Sequence, residues 1–423
     1  MSNSVCTASE FPDESTNPKP ITFGIDGKIL ACGVDTVVMS LSIIWKNDNF
    51  FKLLKQLKEN AVAQEVPMPG VIEAGPHRWV FNLKPFGDGG YAWVLDSHDF
   101  HVQILNRLSP TSRPSALVTI RSATLWQLRV IEAVDKILML LQAQGADVVT
   151  AKATQLDPCM DILLPESEWT PRLEDQAVTR AEWSQAFKKN GVFTGLWIGR
   201  GNIAARIYDK PYEIKTKSKK YWMYDIWGLK EVPEGGRIAR VEFRIRREVL
   251  RELGIDSIWS GLNYARNLWG YCTESWLKFQ DRPDLHHTQQ HTLPWWLTVQ
   301  RGFMGEQKAH PLIRAKTVAA NKTQLTQQML GQLSSLFALE SDGDITPGGE
   351  IQIEEQLSKV IEGNALVGMN PGKFHERVRR KIAKYAQDTE KFKNAQAQRK
   401  ALGLPVIDTP PEKTAAGKKG GAK

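Results

Sequence analysis

The sequence predicts an α+β fold, an antiparallel sheet with helices packed on one face, followed by a helical, basic C-terminal extension. Three observations predict it. Strand patterns at 90–95, 101–105 and 115–121 follow one another directly, as antiparallel neighbours do. Apolar residues recur at helical spacing in 50–63 and 125–144, which gives amphipathic helices to cover a sheet. Beyond about residue 310 only helical patterns remain.

Taken in order, residues 1–30 read as a disordered lead-in. An α+β domain covers 31–305, a helical extension 306–405 and a disordered basic tail 406–423. Val34–Ile44 alternates as a strand, and Phe51, Leu54 and Leu57 make the apolar stripe of the first helix. Three strands follow, then one long helix, Leu125–Gln144, with Val130, Val134, Ile137, Leu138 and Leu141 inward and Gly145 as its stop. A strand is expected at 153–164, a helical or irregular insert at 170–190, and a β-hairpin at 192–213. Its turn is Gly199–Asn202, with Leu196 and Ile198 before it and Ala205 and Ile207 after it. Arg237–Arg246 alternates strictly, with Ala239, Val241, Phe243 and Ile245 facing inward, and helices run on to about 280. The extension reads as helices over 312–339, 351–361 and 374–402, and no internal repeat is visible.

Composition narrows the function classes. A chain of 423 residues with 42% apolar residues and 14 Trp can bury a large core. Its four cysteines are widely spaced without a CxxC pair, which speaks against a disulfide framework or a thiolate zinc site and for a reducing cytoplasm. The N-terminus lacks an apolar signal core, and the longest strongly apolar patch, Ile137–Leu141, is too short to span a bilayer. A soluble cytoplasmic protein with no membrane partner is expected. The net charge of +8 is uneven: residues 371–423 hold 14 Lys/Arg against 5 Asp/Glu, and residues 200–248 hold 13 against 7. Solvated lysines usually serve solubility, but two basic regions favour a polyanionic partner.

The second strand of the hairpin places Arg206, Tyr208 and Lys210 on one face. A phenol ionises only near pH 10, so positive charge, a base or a metal must activate it as a nucleophile. Asp157, Cys159 and Asp161 share a face if their segment is extended, and Pro158 hints at an edge or bulge there. Glu242 stands in a row with Arg240, Arg244 and Arg246. Taken alone, that row reads as a solvated surface with cross-strand ion pairs, and Tyr208 as a half-buried sheet tyrosine.

In their order, Asp157 and Asp161, Thr194 to Gly199, Arg206-Ile-Tyr208-Asp-Lys210 with Glu213, and Arg240-Val-Glu242 resemble the replication initiation factor family. These are Rep-trans type rolling-circle plasmid and phage initiators, with related relaxases of conjugative elements. The likeness spans about residues 34–300 and includes Val34-Asp35, the 118–122 strand and Leu268 to Trp276. Gln155 stands where such proteins commonly have Arg, and Pro158 interrupts the acidic strand.

The resemblance implies a rolling-circle nickase-like fold and a metal-dependent endonuclease that nicks and rejoins one DNA strand at an origin. Tyr208 would form a 5′-phosphotyrosine bond and free a 3′-hydroxyl primer, with Arg206 and Lys210 on the phosphate. Asp157, Asp161 and Glu242 would hold Mg²⁺ or Mn²⁺, and Glu213 would orient Lys210 or join the metal shell. DNA contacts would come from Arg200, Lys215, Lys217, Lys219, Lys220, Arg240, Arg244 and Arg246, and from Arg379, Arg380 and Lys381 in the last helix. Implied partners are an origin DNA, a host helicase and a second copy in a homodimer. A conjugative relaxase with the same chemistry and a non-catalytic DNA-binding regulator are the alternatives.

Other features carry less. In the stretch His286 to His291, the pair His287 and His291 has helical zinc spacing, but it lies between Pro283 and Pro294 and no third ligand joins the pair, which reads as a loop rather than a zinc site. Trp259, Trp269, Trp276, Trp295 and Trp296 read as core. Tyr212, Tyr221 and Tyr224 are the competing tyrosines. No Walker A loop or Rossmann fingerprint occurs.

Overall fold

Val37, Met39, Leu41 and Ile43 are all wholly buried, and their alternation makes the long strand β1 (Lys28–Trp45). Its antiparallel partner β7 (Ala146–Pro165) lies beside it, with Lys28 opposite Leu163 and Trp45 opposite Ala146. The computed structural model describes residues 24, 26–281, 289–303, 310–315, 326, 328–335 and 371–407. The chain divides into two compact units, Met1–Leu312 and Ile313–Lys423.

Between β1 and β7 come α1 (Asn49–Gln64), β2 (Met68–Ala74), β3 (His77–Leu83) and β4 (Trp93–Asp96). Next are β5 (Phe100–Ile104), β6 (Ala116–Ile120), α2 (Ser122–Gln127) and α3 (Val130–Ala143). After β7 follow β8 (Ala177–Thr179), β9 (Ser184–Lys189), β10 (Val192–Ile198) and β11 (Ile203–Asp209). Then come α4 (Lys210–Glu213), α5 (Met223–Trp227) and β12 (Gly236–Arg246). The first unit ends with α6 (Arg247–Glu252), α7 (Ile258–Asn263), α8 (Ala265–Gly270), β13 (Leu277–Phe279) and α9 (Pro294–Gln300).

Eleven strands form one sheet in the order β2-β3-β4-β5-β6-β1-β7-β12-β11-β10-β9, while β8 and β13 pair separately. The pairings are antiparallel throughout. The order reads outward from the β1/β7 seam in the same way on both sides. Each seam strand pairs with the last sheet strand of its own half, and earlier strands lie progressively farther out. Two halves of like topology therefore meet at the seam, a repeat of connection that leaves no repeat in sequence.

One face of the sheet is apolar across both halves. It carries Val37, Val102, Val118, Met160, Val241 and Ile207, all buried. Helices α1 and α3 pack against strands of the first half, and α6, α7 and α9 against strands of the second. Trp269 meets Phe243 edge-on at 5.4 Å, and Trp269, Trp276, Trp295 and Trp296 are core as expected, whereas Trp259 is 39% exposed. The opposite face is polar, and α2, α4 and α5 lie on part of it.

Three expectations change. The sequence predicts helices on one face only, but α2, α4 and α5 lie on the polar face, where Trp227 reaches Asp161 and Trp126 stacks over Arg240. The single helix expected over 125–144 is two, because Leu128 and Arg129 are extended, with ψ of 156° and 149°. The break lets α2 lie on β1, where Trp126 covers Gly33 so closely that a Cβ there would meet its ring at 2.8 Å. The irregular insert at 170–190 contains β8 and the sheet-edge strand β9. Its polar sequence hid the strand.

In the second unit, Pro371–Ala401 forms one long helix, α10. Residues 328–335 are helical, residues 310–315 are not, and the helix expected at 351–361 lies outside the described residues. No helix among the described residues is long and apolar enough to cross a membrane.

Candidate active site on the polar face of the sheet

Cross-strand register assembles the site. One row of the polar face runs Gly195–Tyr208–Arg240–Asp161, and the next runs Trp197–Arg206–Glu242–Cys159. Asp157 follows two residues from Cys159 on the same face, with its Oδ2 3.8 Å from Arg244 Nε. Side chains from four strands thus converge because strand residues of like parity share a face.

Tyr208 is half-buried and donates its hydroxyl to Glu242 Oε2 at 3.0 Å. Arg206 Nη1 stands 3.5 Å from the other oxygen of Glu242. Burial, reinforced by the Glu242 charge, holds the phenol well above its ordinary pKa. Gly195 makes room for this side chain, since a Cβ there would lie 2.6 Å from Ile207 O and 2.9 Å from Tyr208 Cβ.

Lys210 reaches the site by another route than the one expected. The strand stops at Asp209, whose carboxylate caps the next turn by accepting the Tyr212 N–H at 2.8 Å, and Pro211 fixes the helical entry. Lys210 therefore opens α4. Its Nζ lies 5.5 Å from the Tyr208 ring centre and 2.7 Å from Glu213 Oε2, so Glu213 orients the ammonium. Burial, then Arg240, lowers its pKa. Tyr212 sits in α4, out of register with Tyr208.

The two aspartates of β7 have different surroundings. Asp161 accepts Arg240 Nε and Nη2 at 2.7 Å each, and Trp227 Nε1 at 2.9 Å. Arg240 is 0% exposed and Asp161 1%. Asp161 is therefore corrected from metal ligand to the carboxylate of a buried bidentate ion pair. Arg240 is corrected likewise: a guanidinium enclosed by Asp161, Asp35, Met223 and Trp126 cannot touch DNA.

Asp157 is 2% exposed; among the described residues it accepts only Gln155 Nε2, at 2.9 Å, and leaves Oδ1 without a hydrogen-bond partner. Burial, then the Glu242 charge, raises its pKa well above the usual range, and burial, then Asp35, raises Glu242. Pro158 explains how a central strand makes room for these groups. The β7–β12 pairing passes from Glu242/Cys159 to Ile245/Leu156, and β1 bulges between Val34 and Thr36 opposite the proline.

That bulge projects Asp35, which the sequence marked only as part of a strand. It accepts Arg240 Nη1 at 2.8 Å and Ser122 Oγ at 3.0 Å. Burial works to raise it, but Arg240, Lys220 and Lys210 together hold it low.

Among the described residues no three His, Cys, Asp or Glu side chains converge as a metal cluster. The donor set that best suits a hard cation is the orphaned Asp157 Oδ1 with Glu242, whose charge acts on Asp157. Of the basic residues, Lys215, Lys217, Lys219, Arg200 and Arg246 are exposed, while Lys220 and Arg244 are half-buried. Arg379, Arg380 and Lys381 are exposed on α10 of the second unit. His291 is exposed outside helix and strand, and the other two histidines of that stretch lie outside the described residues. No family model matches the chain, and no curated protein matches it either.

Proposed function

We propose that the chain is a metal-dependent, site-specific DNA nicking and closing enzyme that initiates rolling-circle replication through Tyr208. The observation that carries this reading is the 3.0 Å hydrogen bond from the Tyr208 hydroxyl to Glu242, beside two cations and an orphaned carboxylate oxygen. The phenolic oxygen attacks the scissile phosphorus, its proton passing to Glu242. The P–O3′ bond breaks with its electron pair going to the 3′ oxygen, which takes a proton from water to leave as a hydroxyl, and the 5′ phosphate stays on Tyr208. Rejoining is the reverse.

A carboxylate whose pKa is raised is a better base near neutral pH, which suits Glu242 to that proton. Arg206 and Lys210 offset the charge that grows on the phosphoryl oxygens. Asp157 and Glu242 are the residues that would hold Mg²⁺ or Mn²⁺, and an ion bound there supplies Lewis-acid neutralisation of the phosphate. The Asp161–Arg240 pair positions the row that holds Tyr208 and touches no substrate.

The test is a denaturing gel of the protein with single-stranded oligonucleotides tiling its replicon's origin. A covalent adduct mapped by mass spectrometry to the Tyr208 peptide is expected. An adduct on Tyr212, Tyr221 or Tyr224, or none at all with divalent metal present, removes the assignment.

A further inference from the structure

Two partly exposed tryptophans stand together beside the proposed nucleophile. Trp269, Trp295 and Trp296 are fully buried, whereas Trp183 and Trp197 are half-exposed beside the edge strand β9. Trp197 lies opposite Arg206 in register, one row from Tyr208 on the same face. The two indoles meet edge-on at 5.8 Å. Arg200 lays its guanidinium 3.5 Å over Trp183, and the Arg206 guanidinium is 5.7 Å from the Trp197 ring. The order is therefore cation, indole, indole, cation, ending at Glu242 and Tyr208.

Several donors in this row are left over: among the described residues, Trp197 Nε1 and Arg206 Nε and Nη2 are buried without a hydrogen-bond partner. Buried donors normally find acceptors, so the row suits a ligand that brings acceptor oxygens between aromatic faces. Single-stranded nucleic acid has that chemistry: bases stack on indoles whatever their sequence, and phosphates meet guanidinium groups. A duplex keeps its base faces stacked and cannot use the indoles.

We propose that Trp183 and Trp197, flanked by Arg200 and Arg206, form a stacking platform that leads single-stranded DNA to Tyr208. This rests on the reading of Tyr208 as the strand-cleaving residue. Arg200 follows Gly199, at φ +78°, and precedes Gly201, a turn that lets the guanidinium leave Trp183 for a phosphate as a base takes its place.

Fluorescein-labelled (dT)16 titrated with the full chain, read by anisotropy, tests the platform. Trp183→Ala and Trp197→Ala should each weaken binding about tenfold, and Trp183→Phe, which keeps a ring, should restore most of it. Binding to a 16-base-pair duplex should not change. Arg200→Ala should lower the slope of log affinity against log salt by about 0.7.

Unchanged (dT)16 affinity in both alanine variants, or equal losses on duplex, overturns the platform, with near-ultraviolet circular dichroism confirming that each variant is folded. The two readings fail separately. A missing Tyr208 adduct with the tryptophan pattern intact sinks the nickase alone, and a Tyr208 adduct with no tryptophan effect sinks the platform alone.

Discussion

The two halves of the sheet treat charge on their polar face in opposite ways. In the first half Asp96 pairs with His101 at 2.8 Å and Arg121 at 2.6 Å, with side chains 29%, 23% and 43% exposed. In the second half Asp157, Asp161, Arg240 and Glu242 are buried on the same face. Part of the covering is a small apolar cluster in which Ile214, Met223 and Trp227 pack with Leu163 and Ile238. Removing charges from water is expensive, and an apolar replacement is often as stable or more so. The first half builds an equivalent sheet without that cost, so architecture does not require the buried set. The buried set is in keeping with the chemistry proposed for it.

The largest expected effect separates the halves by activity. On the proposed reading, Tyr208→Phe should abolish the covalent DNA adduct while origin binding changes by less than about threefold, because it removes the proposed nucleophile rather than a binding contact. His101→Ala, on the equivalent face of the first half, should leave adduct formation intact. Loss of the adduct in both variants would make the contrast one of folding instead.

Stability should divide the same way. Arg240→Met strands Asp161 in a sealed site and should cost about 3–5 kcal/mol in urea unfolding. Arg121→Met breaks a partly exposed pair and should cost no more than about 1 kcal/mol. Equal losses would show that burial is not what distinguishes the two halves.

The β7 aspartates sharpen the contrast within one strand. Asp157→Ala should reduce Mn²⁺ affinity in calorimetry about tenfold or more, since it removes an oxygen donor with an uncommitted lone pair. Asp161→Asn should unfold more readily and, where folded, bind Mn²⁺ nearly as wild type. The reverse ranking would restore Asp161 as the ligand.

The sequence reveals the arrangement and hides its burial for identifiable reasons. Strand periodicity puts Arg206 and Tyr208 on one face of their strand, and Glu242 in a row with Arg240 and Arg244 on its own; only the pairing of β11 with β12 sets the two rows side by side. Alternation also signals a solvated opposite face, and there it misleads. The covering segment from Lys210 to Trp227 is a capped turn, a π-helical turn and a short helix, with no period to read. Asp209 before Lys210 and Pro211 is a helix-start signature that could have ended the strand correctly. Nothing local to Val34-Asp35-Thr36 announces a bulge, because Pro158, far away in the chain, sits opposite it. Separate carboxylates therefore remain indistinguishable in sequence until their partners are placed.

The smallest expected effect concerns pH. Burial and the Glu242 charge raise the Asp157 pKa in the folded chain, so the folded state keeps a proton that the unfolded state releases near about pH 4. Stability from this group is complete below that value and falls as pH rises through the folded pKa. Glu242 acts in the same direction and Asp35 in the opposite one, so the wild-type profile alone mixes signs. Asp157→Asn isolates the group. The stability of this variant in urea should gain on wild type as pH climbs from the ordinary carboxylate range toward the folded pKa, by at most about 1.4 kcal/mol per pH unit. Added Mn²⁺ should narrow the gap most at the highest pH, because the ion and the proton compete for the same carboxylate. A difference that is flat with pH, or that favours wild type increasingly as pH rises, would mean Asp157 is ionised and paired like Asp161, and the contrast between the two aspartates would be lost.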